Sequence, residues 1–370
     1  MINKKIVLSS NSGWNLYNFR LGLIKSFLNN NFQVILITPK DQYTKKLEEL
    51  GCKCYEISID RKGTSIIKDL SILFRYLKLL KIIKPNFYLS FTAKPNIYGS
   101  IIANILKVKI INNVSGLGTG FIKKNWITFL LIILYYFSFR GSERIFFQNE
   151  TDLNYFLKLK IVKRNNADIL PGSGVDFNKF NYSLDECNEE VKTFLFFGRM
   201  LFDKGIRELV DAATEIKQDY PLIKFIFIGD IDKFNKTAIT KNEIDDWVKK
   251  EIIEYHGFQH DVRLFIKKCD CVIIPSYREG MSKSLIESAA MGRPIITTDV
   301  PGCRELVVPG KNGFLCKPFS SRDIKKNIIK FIRLNKYERQ KFCINSYNLV
   351  KKKFDEKIII DKYLDAVLNK

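Results

Sequence analysis

The sequence predicts an α/β protein of two doubly wound domains that face each other across a cleft. Short apolar runs of strand type alternate with longer amphipathic segments through both halves of the 370-residue chain, which predicts βαβ units and parallel sheets. A segment rich in Gly, Pro and Asn interrupts this alternation at 171–181 and reads as a linker. We therefore expect domains at 1–172 and 173–352, with a last helix at 353–370 that packs back on the first domain.

The first half is predicted to contain six strands and five helices in alternation. Its strands are short apolar runs, and its helices repeat apolar residues at helical spacing. We expect strands at Ile6–Ser9, Val34–Thr38, Lys53–Ile57, Phe87–Ser90, Lys109–Val114 and Arg144–Gln148. We expect helices at about Leu16–Asn30, Gln42–Leu50, Ser65–Lys84, Asn96–Leu106 and Trp126–Phe139.

The second half repeats the alternation and then ends in helical patterns from Ser321 to Lys370. We expect strands at Thr193–Phe197, Ile223–Gly229, Ile252–Tyr255, Cys271–Ile274, Pro294–Thr297 and Gly313–Cys316. We expect helices at about Lys204–Gln218, Lys236–Lys250, Val262–Lys268 and Ser282–Met291.

Composition excludes several classes of protein. Hydrophobic residues make up 46% of the chain, which excludes wholesale disorder. No stretch reaches the roughly 20 apolar residues of a membrane span, and the segment Met1–Val7 predicts a strand rather than a signal peptide. The eight cysteines show no CxxC spacing, so we expect reduced core thiols in a cytoplasmic protein.

The net charge of +22 is concentrated in the first half of the chain. Residues 1–170 contain 26 Lys and Arg against 10 Asp and Glu, a net charge of +16. Such a surface is often only solvated, but it also suits an anionic membrane or a nucleic acid. Because no nucleic-acid-reading motif accompanies the charge, we expect the inner membrane surface as a partner and no nucleic acid.

The segment Trp126–Phe139 has no charged residue and is flanked by Lys123-Lys124 and Arg140. It is too short to span a bilayer. Two interpretations stay open: a helix buried in the first domain, or a helix at the lipid interface with Trp126 and Tyr135-Tyr136 at headgroup level. The basic first half slightly favours the second.

The stretch from Cys271 to Asp299 carries the strongest functional signal. It predicts a strand, a polar loop, a small-residue helix and another strand, with Pro and Gly at the breaks. Glu279 stands in the loop, and Glu287 follows eight residues later on the helix. Ligands of open α/β sheets bind at the carboxyl ends of strands, and a helix start favours an anion. The stretch therefore indicates a ligand with both hydroxyl and phosphate groups.

A second candidate segment follows the first predicted strand of the second half. Gly198 permits close approach of the backbone to a ligand, and Arg199 and Lys204 place two cations near a helix start. An Arg fork and a Lys point charge suit a diphosphate, although cations at such positions are usually only solvated. Combined with Glu279 and Glu287, the segment indicates a diphosphate site.

These residues resemble the E-x7-E signature of the family 4 retaining glycosyltransferases, which have the GT-B fold. The first half resembles the subgroup found in bacterial O-antigen and capsular polysaccharide clusters. The matches in the second half are Gly174-Val175-Asp176, Gly198-Arg199, Lys204-Gly205, Pro275–Gly280, Glu287, Ala289, Met291-Gly292, Pro294, Thr297, Asp299, Gly302, Gly310 and Asn312-Gly313. The matches in the first half are Asn18-Phe19-Arg20, Lys94-Pro95-Asn96 and Asn113–Thr119.

The resemblance implies a donor site in the second domain. Arg199 and Lys204 would hold the diphosphate of a UDP-sugar and stabilise the charge on the departing UDP. Glu287 would accept hydrogen bonds from the ribose, and Glu279 would contact hydroxyls of the donor sugar near the reacting carbon. Further contacts would come from Gly198, from main-chain groups near Phe258 beside the base, and from the N–H groups of Gly280, Met281 and Ser282.

The resemblance implies an acceptor-binding first domain, with Gly13, Arg20 and Ser115 as substrate-binding residues. Gly13 would let the backbone of this domain close over the phosphates. Ser115 stands where many relatives have a His, and a serine cannot take the role of an imidazole. Met281-Ser282 stands where Phe-Gly is commoner, which leaves the donor-sugar preference open.

We expect no metal and no cofactor, because Arg199 and Lys204 would neutralise the diphosphate. The segment Asp230–Asp232 has the D-x-D spacing of metal-dependent sugar transferases, but a polar turn at a strand end is the favoured interpretation. His256 and His260 are the only histidines, with Gly257 between them, so a zinc site is not predicted.

The sequence thus predicts a peripheral enzyme on the inner face of the plasma membrane. It would move N-acetylgalactosamine, galactose or N-acetylglucosamine from a UDP-sugar to an undecaprenyl-diphosphate-linked sugar during surface-polysaccharide assembly. Arg199, Lys204 and Glu279 would carry catalysis, with Glu279 as a sugar ligand rather than a general base. The alternatives are a UDP-sugar epimerase of the same fold and a basic nucleic-acid-binding protein.

Overall fold

A computed structural model describes residues 4–59, 66–117, 121, 126–182, 189–232, 235 and 237–368. The chain divides into two compact units: Met1–Ser173 together with Glu356–Lys370, called the N-terminal unit, and Gly174–Asp355, called the C-terminal unit. Each unit contains one parallel sheet covered by helices, so the predicted fold class of two doubly wound domains is confirmed. The cleft between them stays a prediction.

The N-terminal unit contains a seven-stranded sheet in the order β3-β2-β1-β4-β5-β6-β7. The strand order reverses direction between β1 and β4, which makes their carboxyl ends a topological switch point. The strands are β1 (Lys5–Ser9), β2 (Gln33–Thr38), β3 (Lys53–Glu56), β4 (Phe87–Ser90), β5 (Lys109–Val114), β6 (Ser142–Phe147) and β7 (Ala167–Ile169). The helices are α1 (Gly13–Asn29), α2 (Gln42–Glu49), α3 (Ile66–Ile83), α4 (Ser100–Ile105, after a π-helical turn at Pro95–Gly99), α5 (Trp126–Phe139), α6 (Glu150–Lys158) and α13 (Glu356–Leu368).

The helices of this unit cover both faces of its sheet. Successive residues of a strand point to opposite faces, and Val7 joins one core cluster while Ile6 and Leu8 join another. The cluster around Val7 contains buried side chains of α3, α4, α5 and α6. The cluster around Ile6 contains side chains of α1, α2 and α13.

The C-terminal unit contains a six-stranded sheet in the order β10-β9-β8-β11-β12-β13, with its switch point between β8 and β11. The strands are β8 (Thr193–Phe197), β9 (Lys224–Ile228), β10 (Glu254–Tyr255), β11 (Cys271–Ile274), β12 (Ile295–Thr298) and β13 (Gly313–Cys316). The helices are α7 (Ile206–Asp219), α8 (Lys241–Lys249), α9 (Arg263–Lys268), α10 (Lys283–Ala290), α11 (Ser321–Ile332) and α12 (Lys336–Lys353).

The segment predicted as a linker is partly structural. The N–H of Val175 donates to the carbonyl of Phe354 at 2.9 Å, and both Val175 and Phe180 lie in the core of the C-terminal unit. The prediction of a linker over 171–181 is therefore wrong from 174 onward, because apolar residues spaced among the glycines anchor this part of the chain.

Two elements were absent from the sequence prediction, α6 and β7. The helix that was expected to begin at about Lys236 begins at Lys241 instead, because Thr240 and Glu243 form a capping box. Several features of the prediction lie outside the described residues: 118–119 of the loop after β5, the basic flank at 123–124, and the expected helix starts at 65 and 236.

The segment Trp126–Phe139 forms α5, as predicted, and within the described part of the chain it packs against the N-terminal unit with one face. Tyr135 is 3% exposed and contacts Phe139 and Phe156. The expectation that Tyr135 lies at headgroup level is therefore wrong. Trp126 and Tyr136 lie on the exposed face. Among the helices of the described residues, none is both long and apolar enough to cross a membrane.

Candidate active site

Two loops of the C-terminal unit meet at the carboxyl ends of neighbouring strands. β8 pairs with β11, and the loops after these strands contain the two segments that the sequence singled out. The N–H of Tyr277 donates to the carbonyl of Asp203 at 2.9 Å. Gly205 allows this approach, since it has a φ of +67° and an added Cβ would lie 2.2 Å from the oxygen of Pro275.

Lys204 and Glu279 form an ion pair where these loops meet. The ammonium Nζ donates to Oε1 of Glu279, and each side chain is only 16% exposed. The hydroxyl of Ser276 donates to the same carboxylate oxygen at 2.9 Å. Limited solvent screening makes this pair stronger than a surface pair. An ammonium has three N–H donors, so the ion pair leaves Lys204 able to bind an anion as well.

The backbone of the loop after β12 accepts hydrogen bonds from the loop that contains Glu279. The N–H of Glu279 donates to the carbonyl of Pro301 at 3.2 Å, and the N–H of Ser282 donates to that of Gly302 at 2.8 Å. Gly302 has a φ of +80°, and an added Cβ would lie 2.6 Å from the oxygen of Glu279. Because its N–H is already bonded, Ser282 can offer a donor sugar only its hydroxyl group.

Glu287 lies on α10, one turn after Lys283. Burial raises the pKa of the Glu287 carboxyl group above its usual value, and the charges of Lys283 and Lys179 oppose that rise. The Nζ atom of Lys283 lies 3.8 Å from Oε1 of Glu287 and donates to the carbonyl of Gly174 at 2.6 Å. The sequence reasoning missed Lys283, although its (i, i+4) spacing to Glu287 was visible.

Arg199 and Gly198 lie at the open end of β8. The Arg199 side chain is exposed and forms no hydrogen bond or ion pair with any residue that the structure describes. A Cβ added at Gly198 would meet nothing closer than Phe196, at 3.8 Å. The space in front of Gly198 is therefore open, and close approach of a ligand to its backbone stays a prediction.

Phe258 follows β10 in a neighbouring loop. The N–H of Gly229 donates to the carbonyl of Gly257 at 2.8 Å, and an added Cβ at Gly229 would lie 1.7 Å from the oxygen of Gly198. These contacts place the backbone of Gly257, the residue before Phe258, close to the loop after β8. The Phe258 ring is exposed and stacks edge-on against His260.

Gly13 begins α1 in the N-terminal unit and lies against a carboxylate. An added Cβ would lie 2.4 Å from Oδ1 of Asp41, and Oδ2 of Asp41 accepts the N–H of Trp14 at 2.8 Å. Asp41 also caps α2. The structure thus gives a local packing reason for this glycine, and its predicted contact with phosphates stays a prediction. Sequence reasoning missed Asp41, because its contact with Gly13 joins two separate loops.

Arg20 and Ser115 both contact Phe91, which follows β4. Arg20 is 3% exposed, its guanidinium lies 4.7 Å from the centre of the Phe91 ring, and Nη2 donates weakly to Oδ1 of Asn113 at 3.4 Å. Burial lowers the pKa of Arg20. Ser115 is exposed and donates its hydroxyl to the carbonyl of Phe91 at 2.8 Å. Their binding of substrate stays a prediction.

The Asp230–Asp232 segment follows β9, and the carbonyl of Asp230 accepts the N–H of Met200 at 3.1 Å. Within the described part of the chain, no group of three or more His, Cys, Asp or Glu side chains could hold a metal ion. The expected independence from metals and cofactors stays a prediction.

Two family models together match most of the chain. Residues 5–149 match the model described as "Glycosyl transferase 4-like". Residues 185–348 match the model described as "Glycosyl transferases group 1".

Several curated proteins are similar to this chain over nearly its whole length. The N,N'-diacetylbacillosaminyl-diphospho-undecaprenol alpha-1,3-N-acetylgalactosaminyltransferase of Campylobacter jejuni is 27% identical, over 97% of both chains. The UDP-Gal:alpha-D-GlcNAc-diphosphoundecaprenol alpha-1,3-galactosyltransferase of Escherichia coli is 26% identical, over 92% of this chain and 91% of its own.

Solved structures with the same fold show lower sequence identity. The Anabaena protein HepE in complex with UDP and glucose matches with a TM-score of 0.79 at 17% identity, over 98% of this chain and 99% of its own. A sucrose-phosphate synthase from Thermosynechococcus elongatus matches with a TM-score of 0.80 at 15% identity, over 97% of both chains. At these identities the likeness concerns the fold.

Proposed function

Because this chain belongs to the family 4 type of glycosyltransferases, we propose that it transfers a sugar from a UDP-sugar to an undecaprenyl-diphosphate-linked sugar, with retention of configuration. The sugar is a hexose or N-acetylhexosamine, with N-acetylgalactosamine, galactose and N-acetylglucosamine as the candidates. The product is an intermediate of a surface polysaccharide. The observation that carries the proposal is the 27% identity over 97% of both chains to a transferase with such an acceptor.

In the proposed reaction, Lys204 and Arg199 bind the diphosphate of the donor. The Nζ atom of Lys204 is held by Glu279, which fixes one cation at the carboxyl ends of β8 and β11 before any ligand arrives. Arg199 is exposed and without a side-chain partner among the described residues, so its guanidinium can turn toward the phosphates as a planar fork. Preorganised cations of this kind stabilise the negative charge that develops on the departing UDP.

Glu279 acts in the proposal as a ligand for the donor sugar. The Lys204 ammonium and the Ser276 hydroxyl both donate to Oε1 of its carboxylate, and the loop at Pro301 fixes its peptide. A carboxylate held in this way can accept hydrogen bonds from sugar hydroxyls.

Glu287 binds the ribose in the proposal. Its carboxylate is largely buried beside Lys283, where hydrogen bonds from two neighbouring hydroxyl groups of a ribose replace lost hydration. An ionised buried carboxylate without such donors is unfavourable, so the site gains more from a hydroxyl-bearing ligand than an exposed carboxylate would.

We place this reaction at the inner face of the plasma membrane, with the protein bound peripherally on the cytoplasmic side. Two observations support that location: the acceptors in the names of the similar transferases are undecaprenyl lipids, and residues 1–170 carry a net charge of +16. A basic surface is attracted to the anionic lipids of the cytoplasmic leaflet.

The test is a transfer assay with defined donors and acceptors. Purified protein is mixed with UDP-N-acetylgalactosamine, UDP-galactose or UDP-N-acetylglucosamine and an undecaprenyl-diphosphate-linked sugar in detergent, with and without EDTA. We expect one donor to give an α-linked product, identified by the coupling constant of its anomeric proton, at the same rate in EDTA. Thermal stabilisation by UDP but not by GDP is the companion measurement.

Three outcomes contradict the proposal. Interconversion of UDP-sugars without an acceptor indicates an epimerase. Salt-sensitive binding of DNA or RNA, with no effect of any UDP-sugar on Tm, indicates a nucleic-acid-binding protein. Loss of activity in EDTA that Mg²⁺ or Mn²⁺ restores shows that the cations of the site are not sufficient for the diphosphate.

A further inference from the structure

Helix α5 is apolar on every side, yet only one of its faces is covered by the residues that the structure describes. Tyr135, Phe139 and the small residues Thr128 and Ser138 face the core of the N-terminal unit. The opposite face exposes large apolar side chains, with Trp126 71% exposed. The exposed set is Trp126, Phe129, Leu130, Ile133, Tyr136 and Phe137. Helices that are apolar all round are normally buried on every side, so this face lacks the environment that its composition suits.

The helices next to α5 also expose large apolar side chains. α4 packs against both α3 and α5, and each of these helices exposes apolar side chains. Ile105 is exposed at the end of α4. On α3, Leu70, Phe74 and Ile82 are exposed, with Phe74 at 70%. Ten large apolar side chains are thus exposed on three helices of one unit, and exposed apolar residues that are grouped rather than scattered mark interaction sites.

Charged residues beside this surface are almost all cations. Arg75, Lys78 and Lys81 are exposed on α3, and none forms an ion pair with a described residue. The only carboxylate within α3, α4, α5 and the π-helical turn is that of Asp69, and Lys94 pairs with it at 2.6 Å. The positive charge next to the apolar surface is therefore not neutralised within these helices.

We propose that α3, α4 and α5 form a membrane-docking surface, in which the outer face of α5 inserts into an anionic phospholipid leaflet. The proposal rests on the function given above, because it supplies the surface that brings the enzyme to a lipid-linked acceptor. α5 has 14 residues, which is about 21 Å of helix and too short for a hydrocarbon core of about 30 Å. It therefore lies in the plane of the interface rather than across the bilayer.

The chemistry of the surface favours a bilayer over a second copy of the chain. Trp126, Tyr136 and the Phe side chains suit the boundary between headgroups and acyl chains. Arg75, Lys78 and Lys81 would bind anionic headgroups. In a symmetric dimer through this face, the same unpaired cations would lie near their equivalents and repel each other.

The test measures binding to vesicles of phosphatidylglycerol and phosphatidylcholine by flotation. We expect the wild-type protein to bind vesicles with 30% phosphatidylglycerol at least tenfold more tightly than pure phosphatidylcholine, an order-of-magnitude expectation for several basic residues near the surface. The double variant Phe129→Ser/Phe137→Ser should lose at least tenfold in affinity for the anionic vesicles, since two inserted side chains are removed. Lys78→Glu/Lys81→Glu should lose a similar factor at low salt.

The controls test whether the loss of vesicle binding is specific to this surface or follows from any loss of exposed apolar side chains or of stability. Leu222→Ser/Leu264→Ser removes two exposed apolar side chains from the C-terminal unit and should bind vesicles like the wild type. All variants should keep the wild-type Tm, because the replaced side chains are exposed. The docking variants should also transfer sugar at the wild-type rate to a short-chain acceptor that is soluble without detergent, while losing activity on acceptor embedded in vesicles.

Unchanged vesicle binding in Phe129→Ser/Phe137→Ser would overturn the proposal. A concentration-dependent dimer in sedimentation that the same variant abolishes, with no vesicle binding by the wild type, would assign the face to a second copy. Vesicle binding requires no turnover, so absence of glycosyl transfer in every assay would count against the proposed function and leave the docking result intact.

Discussion

The two units have the same architecture, but they differ in the groups that surround the cation near their strand ends. In the C-terminal unit, the cation Lys204 lies at the carboxyl ends of β8 and β11 and is paired with Glu279. In the N-terminal unit, Arg20 is buried near the ends of β4 and β5, and no described carboxylate lies within ion-pair distance of it. The C-terminal unit holds its cation with a carboxylate, whereas Arg20 lies against the ring of Phe91, with the charge of Glu356 acting on it from beyond ion-pair distance.

The outer helices show a second difference. α5 of the N-terminal unit exposes six large apolar side chains over 14 residues. α12, the longest helix of the C-terminal unit with 18 residues, exposes only Tyr337 and Ile344. The difference is consistent with the two proposals above, in which the C-terminal unit binds a charged, soluble donor and the N-terminal unit docks on a lipid surface.

Replacement of Lys204 by Ala has the largest expected effect on the C-terminal side of this comparison. It removes a fixed cation from the proposed donor site and leaves Glu279 without its ionic partner. We expect the rate of UDP release in the presence of acceptor to fall by about 10²–10³-fold, together with a loss of UDP affinity in calorimetry. Lys249→Ala, on the exposed face of α8, is the matched control. Wild-type UDP affinity in Lys204→Ala would contradict the assignment of Lys204 to the diphosphate.

Gly302→Ala tests whether stability and activity depend on the close contact between Gly302 and the backbone of Glu279. An alanine at a φ of +80° costs about 1 kcal/mol, and the clash of its Cβ with the oxygen of Glu279 adds about 1–3 kcal/mol. Gly310→Ala is the control for backbone strain alone, because Gly310 has a φ of +73° and open space around it. Chemical denaturation should show the larger loss for Gly302→Ala, and its activity should fall as well. Equal losses in the two variants would show that the close contact is unimportant.

Much of the fold could be predicted because strands buried on both faces are unbroken apolar runs. β8, β11 and β13 begin and end at the predicted residues. β7 was missed because it has only three residues with Asp168 in the middle. α5 was placed correctly, but its apolar residues occupy every side, so the sequence could not show that Tyr135 faces inward.

The candidate site could be predicted only in outline. The resemblance placed Lys204 and Glu279 in one site, but their ion pair joins residues 75 apart in sequence, and no local pattern indicates it. The contact of Gly302 with the oxygen of Glu279 likewise depends on how two loops pack. Spacing within a helix is different: Lys283 could have been found from its position one turn before Glu287.

Glu287→Gln tests whether the buried carboxylate at the proposed ribose site lowers the stability of the protein. Burial raises the pKa of Glu287 in the folded state, so its contribution to stability is complete below the unfolded pKa and is lost as pH rises through the folded value. At pH 7 the neutral Gln should therefore raise Tm by about 2 °C, while UDP affinity falls. The difference in Tm should vanish at about pH 3, which is more than one unit below the usual pKa of a glutamate, because the carboxyl is then protonated in both states. A lower Tm for Glu287→Gln at pH 7 would show that the attraction of Lys283 outweighs burial.

The smallest expected effects come from one substitution made in both units, Thr297→Val and Thr38→Val. Both threonines are buried near the ends of sheet strands, β12 and β2. The Thr297 hydroxyl donates to the carbonyl of Ile274 at 2.6 Å, whereas that of Thr38 has no partner among the described residues. Valine has the same shape without the hydroxyl, so the free energy of unfolding should fall by about 1 kcal/mol for Thr297→Val and stay the same or rise for Thr38→Val. Equal destabilisation would mean that Thr38 has a hydrogen bond in solution, and the end of β2 would then be as fully bonded as the end of β12.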